Sequence, residues 1–278
     1  MPTVLITGAS TGIGRATALR LAGSGWTVLA GVRRAEDGVA LAADAPAGRV
    51  SPLQLDVTDS AQIAAAVQEI AQRDAGGLDA LVNNAGIGVG GPLEVLTDEE
   101  WRRQFDVNFF GQIAVTRALL PALRSAHGRI VFISSIGGKV AMGFNGPYAA
   151  SKHAIEAVGD ALRVELYRSG VQVALVEPGS IATPIWEKTR GVADQMRIPP
   201  ELQAQYGDIP EKMDKVLQDT ANRGMPPEAV AEAIEKALTA QRMPSRVLIG
   251  RDARVMLAAK RLLPDRLFDR IVRGRIGL

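Results

Sequence analysis

Short apolar runs alternate along this chain with longer stretches in which apolar residues recur at helical spacing. The runs Thr3–Thr7, Thr27–Val32, Val50–Asp56, Leu78–Asn83, Arg129–Ser134, Val171–Glu177 and Arg246–Ile249 predict seven strands. Several are apolar almost throughout, as strands covered on both faces of a parallel sheet are. Between them, Ile13–Ala22, Ser60–Arg73, Asp98–Arg124 and Tyr148–Arg168 predict helices. Strand–helix alternation of this kind reads as a doubly wound α/β sheet, seven-stranded and parallel.

One stretch breaks the rhythm. From Ile185 to Pro227 there is no strand pattern, three proline clusters intervene, and apolar residues are scattered among charges. A long insertion near the end of such a sheet reads as a helical lid over a binding site. The expected organisation is therefore one α/β domain over residues 1–250, with its lid at about 185–227, followed by an extension over 251–278.

Composition narrows the chemistry. At 47% hydrophobic and 22% charged, the 278 residues describe an ordinary soluble globular protein. No cysteine is present, which excludes disulfides and thiolate catalysis, and the two histidines, His127 and His153, lack partners at ligand spacing. No metal site is expected. Neither a secretory leader nor a run of about 18 apolar residues is present, so the expected location is the cytoplasm.

The net charge of +2 conceals an asymmetry: from Gln241 onward ten basic residues face three acidic ones. The basic character belongs to the C-terminal extension and not to a groove through the fold. Pro264 divides that extension into two short helical pieces, the second carrying Leu267, Phe268, Ile271 and Val272 on one side. It is expected to dock on its own fold or on a second subunit, with peripheral contact to an anionic membrane as the minor alternative. Basic residues do not alternate with aromatics, so no nucleic-acid partner is expected.

The chemistry-bearing residues cluster at predicted strand ends. After the first strand comes Thr7-Gly-Ala-Ser-Thr-Gly-Ile-Gly14, leading into a helix. In this turn Gly8, Ser10, Thr11, Gly12, Ile13 and Gly14 bring backbone close to a pyrophosphate at a helix N-terminus. The second strand ends in Arg33 and Arg34, with no carboxylate at its tip. Two guanidiniums there favour the 2′-phosphate of NADP over the ribose hydroxyl of NAD. Asp56 and Val57 close the third strand, where the carboxylate either meets an adenine amino group or caps a backbone amide. Asn84, Ala85 and Gly86 follow the fourth strand and either touch the cofactor or tie strands together.

Tyr148 and Lys152 lie four residues apart in Pro147-Tyr-Ala-Ala-Ser-Lys152, on one face of a predicted helix. An ammonium beside a phenol favours the phenolate, and bringing a tyrosine from ~10 to ~7 needs about 4 kcal/mol. The pair is thus a candidate proton-transfer group.

These pieces, in this order, resemble the short-chain dehydrogenase/reductase superfamily. The matching residues are Gly8, Gly12 and Gly14, Asp56, Asn83 to Gly86, Asn108, Ser135, Tyr148, Lys152 and Pro178-Gly-Ser-Ile-Ala-Thr183. The resemblance implies a Rossmann-type fold and hydride exchange with a nicotinamide cofactor. It implies that Ser135 binds the substrate oxygen and Tyr148 carries the proton. Lys152 would lower the tyrosine pKa and hold the nicotinamide ribose, and Asn108 would hold a water linking Lys152 to solvent. Pro178, Gly179, Ile181 and Thr183 would embrace the nicotinamide end. The style of Ala30-Gly-Val-Arg33 and Glu177-Pro-Gly179 resembles the steroid- and retinol-dehydrogenase branch.

Val140, Met142 and Phe144, with Met196, Leu202 and Tyr206 of the insertion, suggest an apolar pocket for a hydrophobic alcohol or ketone. The expected function is an NADP-dependent oxidoreductase acting on such a CH–OH group or its carbonyl. The alternative is a non-catalytic NADP-binding regulator on the same fold. The resemblance further implies a homodimer or homotetramer assembled through the helices at Asp98–Arg124 and Tyr148–Arg168.

Overall fold

The computed structural model describes residues 1–73, 77–185, 189 and 197–278. Seven strands are present: β1 (Thr3–Thr7), β2 (Thr27–Val32), β3 (Val50–Gln54), β4 (Ala80–Asn83), β5 (Arg129–Ile133), β6 (Gln172–Pro178) and β7 (Arg246–Ile249). They form one sheet in the order β3-β2-β1-β4-β5-β6-β7, parallel at every pairing. The expected doubly wound, Rossmann-type sheet is the observed one.

Alternation of side chains along the strands feeds two core layers. Val4 and Ile6 of β1 pack on one side with Ala18 and Leu21 of α1 (Gly12–Gly23). Leu5, between them, packs on the other with residues of α3 (Ser60–Arg73), α5 (Gln112–Ser125) and α6 (Gly146–Glu165), among them Ile63, Leu119 and Ile155. Pro52 sits inside β3, which a strand tolerates because β3 lies at the sheet edge.

Two helices lie outside the predicted helical segments: α2 (Ala35–Asp44), of which only the first-turn acids Glu36 and Asp37 were legible, and α8 (Pro227–Thr239). The single helix expected over Asp98–Arg124 is three pieces. It starts at α4 (Asp98–Phe105) with a reciprocal cap, in which Thr97 Oγ1 accepts from Glu100 N and Glu100 Oε2 accepts from Thr97 N. A π-helical segment, Asp106–Gly111, follows before α5 resumes the regular spacing. It brings Gly111 against Val57, where a Cβ would come within 2.7 Å of a Val57 methyl, and it turns Asn108 fully inward.

In the expected lid, the described residues hold a short helical turn at Gln203–Tyr206 and α7 (Ile209–Arg223). Their one β contact is an isolated bridge between Ile181 and Met225. Met196 lies outside the described residues. The extension forms a hairpin of α9 (Arg251–Leu262) and α10 (Asp265–Ile276). It packs on its own fold: Phe268 and Ile276 are buried, and Ile276 Cδ1 would stand 3.2 Å from a Cβ built on Gly143. Lys260 joins the two arms, bonding Asp265 at 2.8 Å with its ammonium 5.2 Å from the Phe268 ring centre. Among the described residues, no helix is long and apolar enough to cross a membrane.

Candidate active site

The strand order reverses between β1 and β4, and a doubly wound sheet opens a crevice beyond the carboxyl ends of the strands at such a point. The glycine turn lies on one side of it and Asn84 to Gly86 on the other. Gly8 has φ 65°, and a Cβ there would press within 2.9 Å of Ala85 Cα. At Gly14 a Cβ would lie 2.4 Å from both the Gly8 carbonyl oxygen and Asn84 Nδ2. Gly14 is thus required beneath the turn, whereas Gly8, Ser10, Thr11, Gly12 and Ile13 form its wall facing the crevice. Thr11 gives α1 no side-chain cap, and the first turn holds no acid. The amides there are left for an anion from outside, at the positive end of the helix.

Asn84 Nδ2 donates to the carbonyls of Thr7 (3.0 Å) and Gly8 (2.9 Å), while Thr7 Oγ1 accepts from the amides of Asn84 and Ala85, both at 3.0 Å. Asn83 Nδ2 reaches Thr116 Oγ1 at 2.8 Å. These side-chain amides tie β1, β4 and α5 together, which is the strand-tying alternative. Ala85, Gly86 and Asn84 still line the crevice. Thr7→Val keeps the shape but leaves two partly buried N–H groups without their acceptor, at about 1–2 kcal/mol each. Urea unfolding is expected to show a stability loss of about 2–4 kcal/mol, largely restored in Thr7→Ser.

At the end of β2 the two arginines part. Arg33 lines the crevice. Arg34 does not: its guanidinium turns to Asp37 in the first turn of α2 (2.8 Å), and that carboxylate, with Glu36, pushes its pKa up. Of the two guanidiniums expected at the cofactor, Arg33 is the one on the crevice wall, and α2 supplies Arg34 with a local partner. Asp56 lines the crevice with Val57, and its carboxylate caps the amide and hydroxyl of Thr58 at 2.9 and 2.7 Å.

At the opposite end, Tyr148 and Lys152 rise from the first turns of α6 as expected, with Lys152 Nζ 5.7 Å from the phenol ring centre. Lys152 is 4% exposed and donates to the Ile133 carbonyl at 2.7 Å. Burial pulls its pKa down to about 8, against an upward push from Glu156 one turn further on. Burial pushes the Tyr148 pKa up, and a hydrogen bond with Ser135 opposes this only in part. The ammonium alone does not outweigh desolvation of the phenolate.

Ser135 Oγ accepts from the Gly137 amide at 3.0 Å, which leaves its proton to be donated toward Tyr148. Asn108 clamps the Ile87 backbone, donating to its carbonyl (3.0 Å) and accepting from its amide (2.8 Å), with Ser151 Oγ at 3.4 Å. Pro178, Gly179, Ile181 and Thr183 complete this end of the crevice, which encloses about 970 Å³.

A second cavity of about 190 Å³ meets the first at Ser135 and Tyr148, which line both. Val140, Met142 and Phe144 line it as expected. Tyr206 is one shell removed, edge-on to Phe144 at 6.4 Å, and Leu202 is not on the wall. Met213, Val216 and Leu217 of α7, with Ala253, Met256, Arg275 and Ile276 of the extension, complete it.

Several residues here were not singled out in the chain. Gly137 flanks the phenol, and a Cβ there would come within 3.2 Å of the ring. Asp252 of α9 accepts from the Ser180 amide at 2.8 Å and so holds the strand end at Gly179. Glu156 continues the four-residue ladder from Tyr148 through Lys152, a signal that was available. It pairs with Lys139 (2.5 Å) beside the buried Glu177, whose carboxyl is held above the usual range by burial and by Glu156 itself. The others depend on contacts far apart in sequence. Among the described residues there is no cluster of three His, Asp or Glu side chains able to hold a metal.

Residues 2–193 match the family model described as short chain dehydrogenase. The chain is 36% identical over 274 residues to the NADPH-dependent 3-dehydrocapnine reductase of Ornithobacterium rhinotracheale, covering 96% of this chain and 94% of that protein. It is 36% identical over 281 residues to retinol dehydrogenase 5 of Mus musculus, covering 97% and 87% respectively. Among solved structures, a short-chain dehydrogenase from Streptomyces avermitilis superposes with a TM-score of 0.79 at 30% identity, covering 98% of this chain and 97% of that one.

Proposed function

The chain belongs to the short-chain dehydrogenase family, on its retinol- and steroid-dehydrogenase-like side, and from that premise we propose that it reduces a hydrophobic ketone with NADPH, or oxidises the matching alcohol. One observation carries the reading: Ser135 and Tyr148 stand where a dinucleotide-sized crevice meets an apolar cavity. When bound, the cofactor supplies a hydride or takes one up.

The crevice fits such a cofactor. The capless start of α1 and the glycine turn offer amides to a pyrophosphate. Pro178 to Thr183 and Lys152 form the nicotinamide end. Ser135 and Tyr148 hold the substrate oxygen, and their hydrogen bonds strengthen as charge grows on it. The raised pKa of Tyr148 keeps its proton in place at neutral pH, ready for donation to that oxygen. Lys152 keeps a positive charge behind the phenol, stabilising what remains after the proton leaves. Asn108, fixed on Ile87 and close to Ser151, orients the π-helical turn behind them. Phe110, Val164 and Tyr167 expose large apolar side chains on the two helical regions expected to pair subunits, which supports a dimer or tetramer.

The test is nicotinamide absorbance during turnover of a panel of long-chain ketones with NADPH and NADH. NADPH-dependent reduction is expected, and absence of turnover with every carbonyl tried would reject the activity. Arg33 at the crevice supports the NADP preference. Arg33→Ala is expected to raise KM for NADPH about 10–100-fold, the value of losing charged hydrogen bonds to a phosphate, while KM for NADH moves only a few-fold. Equal shifts for both cofactors would remove Arg33 from that role.

A further inference from the structure

The second cavity has an apolar wall with a single unengaged charge. Val140, Met142, Phe144, Met213, Leu217 and Ile276 surround the space in front of Tyr148. Two lining residues are charged, Asp252 and Arg275. Asp252 already accepts from the Ser180 amide. Arg275 is exposed at the rim, and among the described residues no carboxylate pairs with it.

The fold fixes the backbone that carries this arginine. Phe268 and Ile276 anchor α10, and Gly277, at φ 78°, ends the helix in a left-handed turn closed by the Leu278 amide on the Arg273 carbonyl at 2.9 Å. Ile276, buried against Gly143, commits its neighbour Arg275 to the cavity mouth. Other cations nearby in the chain are placed differently: Lys260 of the extension bonds Asp265, and Arg246 of β7 bonds Asp160.

Resting on the reading that Ser135 and Tyr148 act on a carbonyl, we propose that the substrate is an amphiphile: a ketone with an apolar body and an anionic group, the anion held by Arg275. The apolar wall removes the body from water, and a guanidinium at the rim of that wall can meet an anion with paired hydrogen bonds. Carboxylate, sulfonate and phosphate share this chemistry. A neutral chain of the same length would gain the burial and forgo the charge.

The experiment compares a long-chain oxo-carboxylate, its methyl ester and the matching oxo-sulfonate and oxo-phosphate, with NADPH in excess. The full chain is expected to show a lower KM for at least one anion than for the ester, and the preferred anion identifies the head group. Arg275→Gln is expected to raise that KM about 10–100-fold with little change in kcat, to move the ester's KM far less, and to be partly rescued in Arg275→Lys. Equal effects on acid and ester, or no preference for any anion in the unaltered chain, would overturn the proposal while leaving the reductase reading intact. Failure to turn over any ketone, charged or neutral, would overturn the reading beneath it as well.

Discussion

Tyr148→Phe is expected to lower kcat for ketone reduction by about 10²–10⁴-fold, the usual value of one positioned acid, while the Kd for NADPH moves by less than a few-fold. The change removes one oxygen and keeps the ring that Gly137 and the cavity walls contact, so packing is preserved. What is lost is the only phenol at the junction of the two cavities and the proton it carries. Ser135 remains as a hydrogen-bond donor, so some oxyanion stabilisation survives. Substrate KM should therefore change much less than kcat, because the missing interaction strengthens only as the oxygen gains charge. Single-turnover absorbance with saturating NADPH separates this from a cofactor-binding defect. Rates close to those of the unaltered chain would remove Tyr148 from the proton-carrying role.

The direction of the phenol's pKa shift sets a pH signature. Burial raises it above the ordinary tyrosine value. Reduction, which consumes the proton, is supplied across the neutral range. Alcohol oxidation needs the phenolate, so the ratio of oxidation to reduction is expected to rise with pH through the alkaline range.

The sheet was legible from the chain because parallel strands buried on both faces leave near-continuous apolar runs, as β1, β2, β5 and β6 do, while the edge strands β3 and β7 were read from their place in the strand–helix alternation. The site was legible as far as it lies at strand ends: the glycine turn, Arg33, Asp56 and Ser135 each follow a run that announces itself. Tyr148 and Lys152 were legible because α6 holds them one turn apart. What was hidden depended on folding back. Helix α2 carries a glycine inside a mixed segment, Ala35-Glu-Asp-Gly-Val-Ala-Leu-Ala-Ala-Asp44, so only its first-turn acids stood out, and the pairing of Arg34 with Asp37 did not. The π-helical widening at Asn108 leaves the apolar spacing of its helix almost undisturbed. Arg275 and Ile276 are over a hundred residues from Tyr148, and no local pattern places the extension over the substrate cavity. For the phenol's pKa, adjacency of charge is visible in sequence, whereas desolvation is a property of the assembled core.

Lys152→Met should separate activity from stability. The folded chain holds the ammonium at a pKa of about 8, below the 10.5 of an exposed lysine. Between those values the unfolded chain binds a proton that the folded chain does not, so this residue's contribution to stability rises with pH across that window. Below about 8 the full penalty of burying the charge applies, of order 2–4 kcal/mol by the size of the shift. Methionine is similar in reach and carries no charge, so it removes that penalty while giving up the bond to the Ile133 carbonyl. The variant is expected to unfold at an equal or higher temperature than the unaltered chain at pH 7, with the advantage shrinking as pH rises past 8. Its kcat is expected to fall about 10²–10⁴-fold, because nothing positive then stands behind the phenol as its proton leaves. In the unaltered chain, reduction should also decline as pH passes about 8 and the ammonium discharges, a limb that Lys152→Met should lack in whatever rate remains. A Tm that drops at pH 7 and recovers at pH 10 would contradict the sign of the shift, and a variant with unimpaired kcat would show that the charge is not used in the reaction.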